Sequence, residues 1–305
     1  AQTRLANNDA LQAQLARVVA EGGEGLMLHH AAGHYRSGRS PHLLKLKAQA
    51  DAEAFYAAHY APDNAILVVA GDVNPDEVKA MAETHYGPIP PAGDIQPRNR
   101  PSEPPQIAPR RVTLTDERVS EPYVSRIYLA PERDSGDQKK AAALVYLAEL
   151  LGGNGTTSVL ARAMQFDSQT AVYTAAGYDG TSLDDTTFSL VVVPLPGVTL
   201  EQAEAKLDQV LAEFLKTGPD PAAFERVKTQ IKAADIYSRD DAEGLANRYG
   251  EALATGLTIE DVKAWPDVLA AVTPEDVKAA AAEVLDARRS VTGWLMKDAG
   301  SEAGE

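Results

Sequence analysis

Cysteine is absent from this sequence of 305 residues. Its absence excludes disulfide bridges, thiolate metal ligands and cysteine nucleophiles, and it says little about the cellular compartment. No run of eighteen apolar residues occurs, so no segment is predicted to span a membrane. Hydrophobic residues make up 44% and charged residues 24% of the chain, which is typical of a globular protein with one large or two medium domains.

Negative charge dominates the chain, but unevenly. The formal net charge is −15, yet residues 1–50 hold six basic and three acidic residues, whereas the remainder holds 23 basic and 41 acidic residues. Four of the six histidines also precede residue 50. This composition break predicts two origins for the chain, and the acidic remainder argues against nucleic-acid binding by residues 51–305.

Helical and strand-like patterns alternate before residue 88. Capping residues followed by apolar residues at helical spacing predict helices, and short apolar runs between turn residues predict strands. The continuous apolar run AILVVAGD predicts a buried strand, with Ile66, Val68 and Val69 in the interior. The predicted helices span 7–21, 50–60 and 75–87, and the predicted strands span 24–28, 42–47 and 65–72.

Eight prolines fall within residues 88–109. Because proline cannot donate to a sheet ladder or continue a helix, this segment is predicted to be an extended linker. It separates a short segment, 51–87, from a regular domain at 110–298. A distinct N-terminal segment, 1–50, and a disordered acidic tail, 299–305, complete the predicted organisation.

Beyond the linker, strands come first, a run of helices follows, and one strand returns at the end. That order predicts an α+β domain with a mixed, mostly antiparallel sheet backed by helices. GGNG at 152–155 follows a helix, so it is interpreted as a helix-ending turn and not as a phosphate-binding loop. The predicted strands span 111–117, 121–130, 170–179, 185–194 and 288–297, and the predicted helices span 136–152, 156–165, 200–218, 220–238, 241–256, 258–272 and 273–286. The predicted core includes Val145, Leu147, Leu150, Leu190, Val192, Leu211 and Phe214.

Two stretches carry a family resemblance. FYAAHYAPDNAILVVAGDV, at 55–73, stands just before the Pro-rich linker, and LLGGNGTTSVLARAM, at 150–164, lies within the regular domain. Together with the order of the later helices and the final strand, they resemble the insulinase/pitrilysin family of zinc peptidases, especially its bacterial and processing-peptidase-like members. The resemblance covers residues 50–297 and implies the end of a first repeat at 51–87 and a complete second repeat at 110–298.

The resemblance implies peptide cleavage with zinc as the cofactor. In such enzymes an inverted His-x-x-Glu-His helix supplies two zinc ligands and the base, and a later Glu supplies the third ligand, which leaves room for a metal-activated water. This sequence contains no His-x-x-Glu-His motif, and His59 and His85 stand alone on their predicted helices. We therefore expect no catalytic residues, no metal ligands and no cofactor in this chain.

Many family members also draw an Arg and a Tyr from the second repeat into the active site. Counted from Ser158, these two positions hold Ser168 and Val172, and Tyr173 is one residue away, which in a regular strand is the opposite face. Arg162 is interpreted as a solvated helix residue. We therefore expect a non-catalytic domain that contributes shape, chamber wall and partner contacts to a peptidase.

A different resemblance belongs to residues 4–47. EGLML and LLKLK, with YRSGRS between them, resemble motifs of the adenylation domain of ATP-dependent DNA ligases. The resemblance implies nucleotide-binding roles for Glu24, Lys45 and Lys47, since two cations on one face of a strand suit an α-phosphate. ATP would be a cofactor only if this segment were functional. The nucleophilic Lys-x-Asp-Gly motif occurs nowhere in the sequence, so no enzyme–AMP can form.

The two resemblances meet at residues 48–54, which predicts a chimeric chain in which neither parent activity survives. Three functions stay open, in this order: a non-catalytic scaffold or partner subunit, a peptidase that borrows its metal site from another chain, and a nucleotide or DNA binder. The expected partner is an insulinase-like chain or a second copy. If the sheet of the first repeat is incomplete, the strand at 65–71 leaves open edges, which predicts dimerisation or aggregation through them. No membrane or nucleic-acid partner is expected. No signal peptide is predicted, although intact bacterial members are often exported.

Overall fold

The computed structural model describes residues 59–91 and 106–298 continuously. It also describes residues 13–14, 17–18, 26–29, 43–46, 53, 55–56 and 104. The chain divides into two compact units, one formed by residues 1–66 with 73–100 and the other by residues 67–72 with 101–305. Among the described residues, every helix is too short or too polar to cross a bilayer. The domain boundaries stay predictions.

The first unit contains a strand pair and a helix. Strands β1 (Leu26–His29) and β2 (Leu43–Leu46) pair antiparallel, which confirms both predicted strands. Helix α1 (Pro75–His85) begins where the Asn74 side chain accepts a hydrogen bond from the Asp76 amide, and it confirms the helix predicted there. Residues 13–14, 17–18, 53, 55–56 and 59 are helical, in agreement with the helices predicted at 7–21 and 50–60.

The prediction of a buried strand at 65–72 is wrong. These residues form no strand, the side chains of Ile66, Leu67 and Val69 are about half exposed, and Val68 is only partly buried. A strand is stabilised by hydrogen bonds to neighbouring strands and by side-chain pairs across them. Among the described residues, none shares a backbone hydrogen bond with residues 66–73, so this apolar run joins no ladder in the described part of the chain.

A five-stranded sheet is formed by the described residues of the second unit. Its strands are β3 (Arg110–Asp116), β4 (Tyr123–Ala130), β5 (Ala171–Tyr178), β6 (Thr186–Pro194) and β7 (Ser290–Lys297). Their order is β3-β7-β4-β6-β5. β3 pairs parallel with β7 and the other neighbours pair antiparallel, so the predicted α+β class and mostly antiparallel sheet are confirmed.

The helical layer also follows the prediction closely. Thr199, Thr258 and Thr273 each cap a helix: the Thr hydroxyl accepts from the backbone amide three residues on, and the side chain of that residue accepts from the Thr amide, as in capping boxes. These boxes fix where the helices begin. The helices are α2 (Lys139–Ala148), α3 (Leu200–Thr217), α4 (Pro221–Ser238), α5 (Ala242–Ala254), α6 (Ile259–Ala271) and α7 (Pro274–Val284).

Two helices predicted to be α-helical end or continue as π-helix. Helix α2 is followed directly by the π-helix π1 (Glu149–Gly153). The helix predicted at 156–165 starts at residue 159 and continues as the π-helix π2 (Ala161–Asp167). The wider π1 turn lies against β5 so closely that a Cβ on Gly152 would stand 2.0 Å from the backbone nitrogen of Ala176. The chain leaves helical geometry at Asn154, which confirms GGNG as a helix-ending turn.

The core lies between one face of the sheet and the helices. Leu144, Leu147 and Leu151 of α2 and π1 are fully buried on the helix side of this core. Phe188 and Leu190 of β6 are fully buried on its sheet side. Of the predicted core residues, Val145 is only partly buried but packs against the core. The other predictions are confirmed, namely Leu147, Leu150, Leu190, Val192, Leu211 and Phe214.

Candidate functional site

The sheet has one covered face and one open face. Strand β4 shows the division, because Val124, Arg126 and Tyr128 are buried under helices while Ile127, between them, is exposed. Residues paired directly across neighbouring strands share a face, so the register assigns the residues of the other strands to the covered or the open face. The open face, as we call it, presents the side chains of Val112, Leu114, Ile127, Tyr173, Val191, Val193 and Leu295.

A β-bulge in β5 changes which residues reach the open face. Ala171 and Thr174 are both buried on the covered side, although they stand three positions apart, and the register shifts between Ala171 and Tyr173. Val172 is the extra residue, so Val172 and Tyr173 are both exposed. The prediction that these two residues occupy opposite faces assumed strict alternation, and the bulge removes that assumption. Tyr173 lies opposite Val193 and brings an aromatic ring to the open face.

The positions that would hold the family's Arg and Tyr are filled by residues with local roles. Ser168 ends π2, and its hydroxyl donates to the Ala163 carbonyl at 2.7 Å. Val172 lines a mostly apolar cavity of about 620 Å³, together with Val193, Met296 and the start of α3. This cavity is large enough for a few side chains of a peptide, but its rim offers mixed charge, from Glu121, Glu201 and Lys297.

On the covered side, a buried carboxylate joins helix α3 to three strands. Glu204 of α3 accepts two hydrogen bonds from Arg111 at 2.6 and 2.7 Å, one from Arg126 at 2.8 Å and one from the Trp294 indole at 2.7 Å. Burial alone would raise the pKa of Glu204, but the hydrogen bonds from Arg111 and Trp294 and the charge of Arg126 outweigh burial, and the pKa is lowered. Asp208 also pairs with Arg126. All four carboxylate contacts are therefore used to fix α3 on β3, β4 and β7.

A second polar cluster holds the loop after β4 on helix α6. Asp261 accepts hydrogen bonds from the Ser135 hydroxyl at 2.6 Å, the Gly136 amide at 3.0 Å and the Thr258 hydroxyl at 2.7 Å. The Ser135 and Thr258 hydrogen bonds, followed by the Gly136 amide, hold the pKa of Asp261 well below its usual range. Arg133 lies over the Trp265 ring at 4.0 Å, and burial lowers its pKa to about 10. These contacts are structural, because the hydrogen-bonding groups of the cluster bind one another and hold the loop on the helix.

Neither histidine on the helices of the first unit belongs to a metal-binding group of side chains among the described residues. The His59 ring is hydrogen-bonded to the Phe55 carbonyl at 2.9 Å and stacked on the Phe55 ring, and His85 is the last residue of α1. In the described part of the chain, no group of three or more His, Cys, Asp or Glu side chains could hold a metal ion. The described residues therefore do not fit a zinc ion.

The predicted nucleotide-binding residues are only partly described. Lys45 lies in β2, opposite Met27 in the antiparallel register. Glu24 and Lys47 lie outside the described residues. The strand pair is confirmed, and its role in nucleotide binding stays a prediction.

The comparisons with known proteins agree with the fold. A family model described as the peptidase M16 inactive domain matches residues 48–231, which is more than half of the chain. The chain belongs to this family. M16 is the insulinase-like family of zinc proteases, so the insulinase/pitrilysin resemblance and the non-catalytic assignment are confirmed. The ligase resemblance of residues 4–47, and with it the chimera hypothesis, finds no support in these comparisons.

Three bacterial relatives of this M16 domain illustrate the similarity. The zinc protease PqqE of Helicobacter pylori (strain ATCC 700392 / 26695) is 26% identical over 203 residues, covering 65% of this chain and 45% of that protein. A solved protease structure from Helicobacter pylori shares the fold with a TM-score of 0.75 at 21% identity, covering 82% of this chain and 59% of that one. The M16 inactive domain from Pseudomonas fluorescens gives 0.69 at 19% identity, covering 95% and 71%. The chain thus spans less than two thirds of the Helicobacter proteins.

Proposed function

We propose that this chain is the non-catalytic half of an M16 zinc peptidase and that it acts by pairing with a half that carries the zinc site. The match of residues 48–231 to the inactive-domain family, in a sequence without any His-x-x-Glu-His motif, carries the proposal. The chain would contribute a wall of the peptide-binding chamber and contacts to its partner. Peptides are the proposed substrate class, which the names of the protease relatives support.

The open face is the part of the domain that suits this role. It combines exposed aliphatic side chains with the exposed ring of Tyr173, and the apolar cavity beside Val172 opens at one end of the sheet. Aromatic side chains are the residues that contribute most to binding at such surfaces. We therefore expect Tyr173 to contact a peptide or the catalytic half.

The experiment mixes this chain with an M16 chain from the same source that carries His-x-x-Glu-His, and it follows cleavage of a quenched peptide. We expect the mixture to cleave faster than the sum of the separate chains and to lose activity with a zinc chelator. The proposal is wrong if the mixture cleaves only as fast as the two separate chains added together and the two chains migrate separately on a sizing column.

Two tyrosine variants test whether the gain in cleavage depends on the open face. Tyr173→Ser is expected to lower the activity of the mixture on the order of tenfold, because an interface aromatic contributes about 1–2 kcal/mol. Tyr237→Ser is the matched control, since Tyr237 is exposed near the end of α4, in the helical layer. Equal losses for both variants would place the effect elsewhere.

Nucleotide binding by the N-terminal segment is a separate proposal. We infer it only from the ligase-like motifs and from the strand pair that carries Lys45. Titration of the chain with ATP in a calorimeter should give heat that disappears in a Lys45→Ala, Lys47→Ala variant. The absence of heat with the wild-type chain would eliminate it.

A further inference from the structure

Strand β3 forms an edge of the sheet that nothing in the described part of the chain covers. Its neighbour is β7 on one side, and the seven residues of the ladder run without a bulge from Arg110 to Asp116. Val112 and Leu114 are 57% and 52% exposed. A strand in this position presents unpaired backbone N–H and C=O groups, which can pair with a further strand.

The sequence of β3, RRVTLTD, is complementary to itself when two copies run antiparallel. With Thr113 on the two-fold axis, Arg110 lies opposite Asp116 of the second copy, and Val112 lies opposite Leu114. Directly opposed residues of opposite charge, apolar pairs and Thr–Thr pairs are each favourable across antiparallel strands. Both charged pairs and both apolar pairs lie on the open face, so the two open faces would form one surface.

Neighbouring registers lose this complementarity. A shift by one residue places the apolar side chains opposite the threonine side of the strand. A shift by two residues in either direction places either Arg110 or Asp116 opposite an apolar side chain. Arg110 has no ion pair with any described residue, whereas Asp116 accepts hydrogen bonds from Arg118 at 2.8 and 2.9 Å and stays ionised because those bonds lower its pKa. In the dimer, Arg110 would therefore approach an Asp116 carboxylate that already pairs with Arg118, and the two arginines would share it.

We propose that β3 is a homodimerisation edge, which joins two copies of this chain into one continuous sheet through an antiparallel β3–β3 pair centred on Thr113. The other edge strand, β5, is less suited because its bulge at Val172 interrupts the ladder. A single strand pair buries little area, so the dimer is weak and forms at high protein concentration. This inference is independent of the pairing with a catalytic half.

Cysteine cross-linking on the full chain tests the register directly, since the native sequence contains no cysteine. In Thr113→Cys the two cysteines face each other across the axis, at a Cβ separation of about 4.5–5.5 Å, which a small local shift of the strands brings to the roughly 3.5–4.5 Å of a disulfide. We expect Thr113→Cys to give a covalent dimer under mild oxidation at least about tenfold faster than Thr115→Cys, whose side chains stand on the order of 13 Å apart in the dimer. Equal rates for the two variants, or monomer throughout, would overturn the proposal.

Charge exchange provides a second test that needs no oxidation. Arg110→Asp or Asp116→Arg alone sets like charges opposite each other at both ends, and each should weaken the dimer about tenfold or more in sedimentation velocity. Mixing the two variants restores both opposite-charge pairs and should restore wild-type association as a heterodimer. Arg226→Asp, on the exposed side of α4, is the control and should associate like wild type. A mixture that stays monomeric while wild type dimerises, or a monomeric wild type, contradicts the proposal.

Discussion

Two stretches of this chain resemble the same peptidase family, and they differ in how far their sequence determines their structure. Residues 110–297 adopt every predicted strand, and a helix wherever one is predicted although two of these are partly π-helical, whereas the apolar run at 65–72 forms no strand. The two stretches differ in the strand partners that are available to them. The strands at 110–297 have their sheet neighbours and helices within the same unit, while residues 66–73 share no backbone hydrogen bond with any described residue. Strand formation therefore depends on partners as much as on sequence.

A leucine pair should give the largest contrast between the two stretches. Leu147 is fully buried in α2, and Leu67 is 57% exposed. We expect Leu147→Ala to lower the free energy of unfolding by about 3 kcal/mol, because it leaves a cavity, and Leu67→Ala to change it by less than about 0.5 kcal/mol. Urea unfolding followed by circular dichroism measures both. A comparable loss for Leu67→Ala would mean that this run is buried in solution.

Glu204 tests whether the ordered domain depends on its buried charges. Glu204→Gln leaves Arg111 and Arg126 without their shared carboxylate, and we expect a loss of about 2–3 kcal/mol in the free energy of unfolding. Glu213→Gln, on the exposed side of the same helix, is the control. Equal stability of the two variants would show that the Glu204 contacts contribute nothing.

Glycine substitutions test how closely π1 must approach the sheet. Gly152→Ala should cost about 2 kcal/mol, because its Cβ would stand 2.0 Å from the backbone of Ala176. Gly155→Ala should be nearly neutral, because no atom lies within 4 Å of its Cβ. Thermal unfolding of both variants checks this. If Gly152→Ala melts like Gly155→Ala, the close packing of π1 on β5 is not present in solution.

Acid should affect the ordered domain through carboxylates that are hydrogen-bonded in the folded state. The pKa of Asp261 and that of Glu204 are lowered on folding, so the stability they contribute is present above the unfolded carboxylate pKa of about 4 and is lost as the pH falls below it. Asp261→Asn should flatten the dependence of unfolding free energy on pH between about pH 5 and pH 2. An unchanged slope would show that Asp261 does not contribute to the pH dependence of stability. This is the smallest expected effect.

Much of the second unit was predictable because its signals are local. Periodicity set the type of each element, and the Thr caps of α3, α6 and α7 fixed their first residues. The π-helices were not predictable, since one extra residue per turn depends on what the helix packs against. The bulge at Val172 likewise depends on pairing with β6.

The buried carboxylate cluster left a signal that the sequence reasoning missed. Arg126 alternates with Val124 and Tyr128 on the covered side of β4, and Glu204 follows the buried Leu200 and Ala203 of α3 by helical spacing. A basic and an acidic residue at core positions of two elements indicate a buried ion pair. Which basic residue meets Glu204 depends on how α3 crosses the sheet, and that crossing is set by tertiary packing.

The parallel pairing of β3 with β7 has a mechanical consequence. The domain is entered at the start of β3 and left at the end of β7, so tension between residues 109 and 298 pulls these two strands in opposite directions along their length. All the backbone hydrogen bonds between them would then carry the load together, in shear, whereas strands pulled from the same end would separate one bond at a time. The first and last strands act as a clamp against stretching along the chain.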